Sequence, residues 1–215
     1  MRFQGFPEQA LLFYEGLQAD NTKAYWTDHK AVYDIAVKAP MEALLAEIAP
    51  EFGAAKLFRP YRDVRFSKDK TPYKGHASAV VDDGGALYVQ LGADGLLVAG
   101  GFWHTETDQA QRLRAAIAND LTGRRLEGVL AGLSGWDVDG DRLVRLPKPW
   151  TPEHPRAPLL HLKSLTASQH HEPAEWMHER ECLDRVVDGF RALGPLNAWL
   201  TQHVGPTHRE RPARR

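Results

Sequence analysis

The chemistry of this sequence is concentrated in residues 56–75. Seven cations, Lys56, Arg59, Arg62, Arg65, Lys68, Lys70 and Lys74, stand there against two carboxylates, Asp63 and Asp69. That local excess of five positive charges lies in a chain whose formal charge is −1, so the remainder is acidic. A guanidinium is a planar fork that grips phosphate or carboxylate through two parallel N–H bonds, and a neighbouring carboxylate fixes its direction. From Arg62 to Phe66 the chain reads as extended, which sets Asp63 and Arg65 on one face and Val64 and Phe66 on the other. Residues 67–74 read as a loop, because Pro72 biases Thr71 away from helix, and Lys70 and Tyr73 are expected to turn back over the arginines.

Two readings of this stretch follow. In one, the charges satisfy each other as exposed ion pairs, each worth only ~0–1 kcal/mol. In the other, surplus cations beside Tyr61, Phe66 and Tyr73 await an anion from elsewhere. The second makes Arg59, Arg62, Asp63, Arg65, Lys70, Tyr73 and Lys74, with Trp103 further on, the candidate residues for binding a small phosphate- or carboxylate-bearing ligand. The same cations, with aromatic rings to stack on bases, would also suit nucleic acid, and an architectural Arg/Asp network in a scaffold protein is the third reading.

The pattern Arg59-x-x-Arg62-Asp63-x-Arg65-Phe66-x-x-Asp69-Lys70-x-x-Tyr73 resembles the signature of the domain of unknown function 2461 family, bacterial proteins of similar length with relatives in fungi. The opening helices over 6–26, Gly100-Gly101-Phe102-Trp103, His154-Pro155 and the 160–164 run are similar to family landmarks, so the resemblance spans all but the tail. It groups these residues and assigns them no reaction, which leaves open whether the protein is an enzyme.

Other residue types with chemical potential are scattered. Trp103-His104 follows a Gly-Gly step where backbone can approach a ligand. His154 and His161 titrate near neutrality but lack a visible partner, and Lys163 shares a strand face with His161. Glu175, His178 and Cys182 fall at i, i+3 and i+7 of an expected helix, with His171 just before it. No H-E-x-x-H accompanies them, so neither a metal nor another cofactor is expected. Phosphate-loop, dinucleotide-turn and nucleophile-elbow patterns are absent, which removes the main support for nucleotide hydrolases, Rossmann oxidoreductases and serine hydrolases.

The scaffold around these residues has ordinary globular composition, with 215 residues, 43% hydrophobic and 26% charged. Near-neutral overall charge excludes a polycation built to coat DNA or an anionic bilayer. The single cysteine, Cys182, rules out an internal disulfide and fits a reducing compartment. No leader-like apolar segment opens the chain and no run of ~18 apolar residues is present, so a soluble, cytoplasmic protein without a membrane partner is expected.

Periodicity predicts a helix over 7–19 and, after an interruption at Asp20-Asn21-Thr22, a second helical face carrying Trp26, Lys30, Tyr33 and Val37, with a kink or fresh start at Pro40 and a buried stripe of Met41, Leu44, Leu45 and Ile48. Strands follow at 76–81, 86–91 and 96–101, joined by turns at 82–85 and 92–95. A helix from Thr105 with a Thr105/Asp108 capping box, a second at 123–133 and an edge hairpin over 136–146 come next. Five prolines between 147 and 158 make a stiff connector, after which a strand is expected at 159–165. A long helix opens at Pro173 and closes at Gly194-Pro195, and a short one carries Trp199 and Leu200. Together these predict an α+β fold in which N- and C-terminal helices cover a largely antiparallel sheet, as a single domain over 1–206, with a disordered basic tail at 207–215.

Overall fold

A computed structural model of the chain describes residues 2–65, 68–82 and 86–208. In chain order the elements are helices α1 (Glu8–Ala19) and α2 (Lys23–Val32), a π-helical segment (Tyr33–Lys38), α3 (Ala39–Phe52), and strands β1 (Ala55–Leu57), β2 (His76–Asp82), β3 (Ala86–Gly92) and β4 (Gly95–Phe102). Then come α4 (Thr107–Ala118), α5 (Asp120–Ala131), β5 (Asp137–Asp139), α6 (Ala157–Leu160), β6 (Leu165–His171), a 3-10 turn (Glu175–His178) and α7 (Glu181–His203). The strands form one antiparallel sheet in the order β1-β2-β3-β4-β6-β5, so the α+β architecture expected from the sequence is the one observed. Among the described residues no helix is long and apolar enough to cross a membrane.

These residues fall into two compact units, one drawn from 1–83, 87–98 and 170–190 and the other from 84–86, 99–169 and 191–215. In the first, α1 buries Ala10, Leu11, Phe13, Tyr14 and Leu17, the helically spaced stripe that Pro7 introduces. As expected, a fresh α-helix starts at Pro40, which stands in the first turn of α3. The proline cannot supply the N–H that would bond the Ala36 carbonyl, and the preceding turn widens into the π segment before α3 continues with Met41, Leu44, Leu45 and Ile48 buried. Phe3 and Phe6 are buried too, because Phe6 N–H bonds Met177 O at 2.8 Å and Glu47 accepts from Phe3 N–H at 2.6 Å. Gly95 takes φ +108°, and a Cβ there would lie 2.1 Å from His171 O, so the β3–β4 turn requires glycine. The preceding turn, at 82–85, falls mostly outside the described residues.

In the second unit the α4 cap is shifted by one residue. Glu106, not Thr105, is the N-cap, in a reciprocal box with Gln109, because the Thr105 hydroxyl is spent on the Lys163 carbonyl. The C-terminus of α4 is closed by the buried guanidinium of Arg156, which donates to Ile117 O at 2.7 Å, to Ala118 O at 3.3 Å and to Asp120 at 3.0 Å. Gly123 leaves room for it, since a Cβ would meet Arg156 Nε at 2.5 Å.

Three further expectations are corrected. The 136–146 stretch is no hairpin: β5 pairs antiparallel with β6, Val138 opposite Ala167, and 143–146 form no strand. The strand expected at 159–165 is instead the end of α6 and a turn, because Pro158 starts a helix well and buries Leu160 and Leu162, and β6 begins only at Leu165. The last helix starts at Glu181 and runs through Gly194-Pro195. Gly194 has no Cβ to clash with the proline ring, and Leu193, Leu196, Trp199 and Leu200 continue the buried stripe across it. At the C-terminal end Asp108 accepts from the Thr207 hydroxyl at 2.8 Å and from His208 N–H at 3.0 Å, while 209–215 lie outside the described residues.

Candidate functional site

The segment between β1 and β2 begins as an extension of their pairing. Phe58 N–H reaches Ser78 O at 2.9 Å, Arg62 N–H reaches Pro72 O at 2.9 Å, and Lys74 N–H reaches Pro60 O at 2.8 Å. Two limbs, 58–62 and 72–76, therefore run side by side with Tyr61 bridged to Tyr73. Beyond Arg62 the stretch is not the extended strand expected: the Arg65 N–H turns to the Asp63 carboxylate at 3.3 Å and the Val64 carbonyl accepts from a lysine side chain rather than from a strand. Asp63 forks onto Arg65, with Nε at 2.9 Å and Nη2 at 2.7 Å. Arg62 pairs with Asp69 and donates to the Thr71 hydroxyl at 2.8 Å, and Asp69 caps Thr71 N–H at 2.9 Å. Lys70 turns back to donate to Val64 O at 3.0 Å.

Between the limbs lies a cleft of about 620 Å³. Arg59, Tyr61, Arg62 and Asp63 wall it on one limb, Lys74 and His76 on the other, and Phe58 lies under the Lys74 ammonium, 4.9 Å from its ring centroid. Among the described residues neither Arg59 nor Lys74 has a carboxylate within ion-pair distance, and the one carboxylate in the wall, Asp63, is already taken up by Arg65. The consequences are electrostatic. Partial burial, then the Arg59 charge, push the Lys74 ammonium below its usual range. Burial, then Lys74 and Arg62, push the His76 imidazole below its usual range. Asp63 is held down to about 2, first by hydrogen bonds from Arg65 and with a smaller contribution from Arg59.

Of the residues the sequence singled out, Arg59, Arg62, Asp63 and Lys74 thus share one cleft. Arg65 and Lys70 brace the loop beside it. Tyr73 points inward: it is buried, stacks on Trp26, and exchanges backbone hydrogen bonds with the Asn21 amide at 3.1 Å each way. Trp103 belongs to the second unit, 44% exposed. Phe66 lies outside the described residues. Sequence reasoning missed Phe58 and His76, although His76 stands two residues from Lys74 at a strand start, the spacing that points both side chains the same way.

Of the remaining candidates, the histidines His154, His161 and His178 are each engaged by backbone. His154 Nδ1 bonds Arg156 N–H at 3.1 Å, and His161 Nδ1 lies 2.9 Å from Leu143 O. Lys163 pairs with Asp141 at 3.8 Å. Glu175, His178 and Cys182 do not share a helix, since the 3-10 turn ends before α7 begins. His178 Nδ1 lies 2.8 Å from Phe6 O, and burial pushes the Cys182 thiol up to about 12. Among the described residues no three His, Cys, Asp or Glu side chains are arranged to hold a metal ion.

The family model described as conserved hypothetical protein (DUF2461) matches residues 9–199, and the chain belongs to that family. No relative among curated proteins matches it.

Proposed function

We propose that the cleft between the two limbs binds a small anion carrying a phosphate or carboxylate group. One observation carries the reading: among the described residues Arg59 and Lys74 face one concavity with no carboxylate within ion-pair distance, its one lining carboxylate, Asp63, being engaged by Arg65, beside an Arg62 already oriented by Asp69 and Thr71. Burial first, and then the neighbouring like charges, depress the ammonium and imidazole, and a bound anion offsets the like-charge part of that cost. Chemically, such a site stabilises negative charge on a phosphoryl or carboxylate oxygen.

A second reading, nucleic acid, draws on Tyr61, a residue 48% exposed beside Arg59. It is second because Tyr73, one of the stacking candidates, is withdrawn into the core, and Phe66, another, lies outside the described residues.

The test is calorimetric titration of inorganic phosphate, pyrophosphate and citrate, paired with melting curves. Anions are expected to raise the melting temperature, and Arg59→Ala combined with Lys74→Ala to weaken binding at least about tenfold. An equal response in the double variant, or none in the wild type, removes the reading. Retention on oligonucleotides that falls steeply with salt, without response to small anions, favours the second.

A further inference from the structure

A second, smaller cleft of about 340 Å³ adjoins the cationic one and shares Phe58, Arg59 and Tyr61 with it. Its chemistry is different. Trp26 and Tyr33, both buried, form its floor, with ring centroids 4.8 Å apart, and Leu57 and Pro60 add apolar surface. The rim carries two ion pairs, Lys30 with Asp34 and Lys38 with Glu42 at 3.8 Å, whose charges cancel. The groove as a whole therefore passes from a cationic end, through Arg59 and Tyr61, to an aromatic end with balanced rim charge.

Tyr61 is the hinge of this arrangement. Its ring is held at fixed tilt against Trp26, 5.9 Å away, and Tyr73, 5.5 Å away, yet 48% of the residue faces solvent. A tyrosine pinned on one side and open on the other, lining both clefts, offers a π-face at the boundary between them. The wall opposite includes the π-helical segment, which supplies Tyr33, Asp34 and Lys38, an irregularity that helices often carry at functional sites. Volumes of about 620 and 340 Å³ are each within the span of small-molecule pockets.

We infer that the ligand is an anion joined to an uncharged planar ring, of the aryl phosphate or nucleoside monophosphate kind, with its anionic group between Arg59 and Lys74 and its ring on Tyr61. This rests on the anion-binding reading and adds the class of molecule. Asp34 and Glu42 accept hydrogen bonds from polar substituents on the ring side, and the neighbouring lysines donate them.

The experiment compares inorganic phosphate, phenyl phosphate, benzoate, adenosine monophosphate and adenosine by calorimetry at constant ionic strength. The ring-bearing phosphates are expected to bind at least about tenfold more tightly than phosphate, the gain from one ring stacked on an aromatic side chain. Tyr61→Ala is expected to collapse that ratio and Tyr61→Phe to retain it, a contrast that a folding defect does not produce. A larger gain for adenosine monophosphate than for phenyl phosphate identifies a nucleotide, and benzoate above phosphate identifies a carboxylate. Phosphate binding with no gain from the ring, or a gain that survives Tyr61→Ala, overturns this inference and leaves the anion site standing. Binding of none of the anions overturns both.

Discussion

The indole of Trp26 lies flat on the ring of Tyr73, with centroids 4.4 Å apart and planes within 7°. Trp26 belongs to α2 and Tyr73 to the returning limb of the basic loop, so this stack is where the helical layer fixes the cleft. Asn21, just before α2, doubles the attachment by pairing with both backbone groups of Tyr73. The cleft cations stand on either side of this anchor, Arg59 and Arg62 on the outgoing limb and Lys74 immediately after Tyr73. Repulsion among them is opposed by packing beneath them, which is how a surface loop holds like charges together.

Removing the anchor should therefore be costly. Tyr73→Ala deletes a buried ring and is expected to destabilise by about 3–5 kcal/mol, read from urea unfolding. Tyr73→Phe keeps the stack and is expected to stay within about 1.5 kcal/mol of the parent. Equal losses in both would place the stabilisation in the hydroxyl rather than the ring.

Asp63→Asn separates the site reading from the scaffold reading. The Asp63–Arg65 fork is exposed, with 50% and 77% of the two side chains accessible, so its loss is expected to leave the melting temperature nearly unchanged. It also removes the negative charge in the cleft wall and is expected to raise anion affinity severalfold, about the effect of one nearby charge. A large drop in melting temperature with no change in affinity would make the network architectural.

How much of this was legible in the sequence follows from what each signal encodes. Hydrophobic period placed α1 and β2 to β4 well, because one face of each meets a core and the spacing records it. Composition alone located the basic segment. It did not reveal that Arg62 would choose Asp69 over Asp63, or that Tyr73 would turn inward, since a loop has no period to read. Gly194-Pro195 read as a stop because the pair usually ends helices, and only the apolar residues beyond it, packed in the fold, reveal that the helix continues.

Away from the cleft, Glu47 should control acid stability. Hydrogen bonds from Arg180, then from Phe3 N–H, hold its carboxyl down to about 2 from an ordinary 4.5. A carboxyl lowered on folding contributes fully above its unfolded value and loses that contribution as pH falls toward the folded value. The melting temperature is therefore expected to drop between about pH 4.5 and 2 with a Glu47-dependent slope approaching one proton. In Glu47→Gln that part of the slope should vanish and the neutral-pH stability should be lower. An unchanged acid limb would show that Arg180 does not hold the N-terminal segment through this carboxylate.

His76 provides the most direct report on what enters the cleft. Its imidazole is depressed first by burial and then by Lys74 and Arg62, with Arg59 and Asp63 lining the same space. For a histidine lowered on folding, the neutral form is favoured in the native state, so protonation in acid opposes folding. An anion bound beside Lys74 supplies the missing negative charge, which must raise the His76 pKa; by linkage, the same anion must bind more tightly as pH falls. Sulfate is the suitable probe because its own charge is constant over this range. Its addition is expected to move the His76 ring-proton NMR titration upward, with the resonance assigned by its loss in His76→Gln among the ten histidines. The affinity for sulfate should rise on acidification in the parent and lose that rise in His76→Gln. A titration indifferent to sulfate, in a protein that still binds it, would place the anion elsewhere than between Arg59 and Lys74.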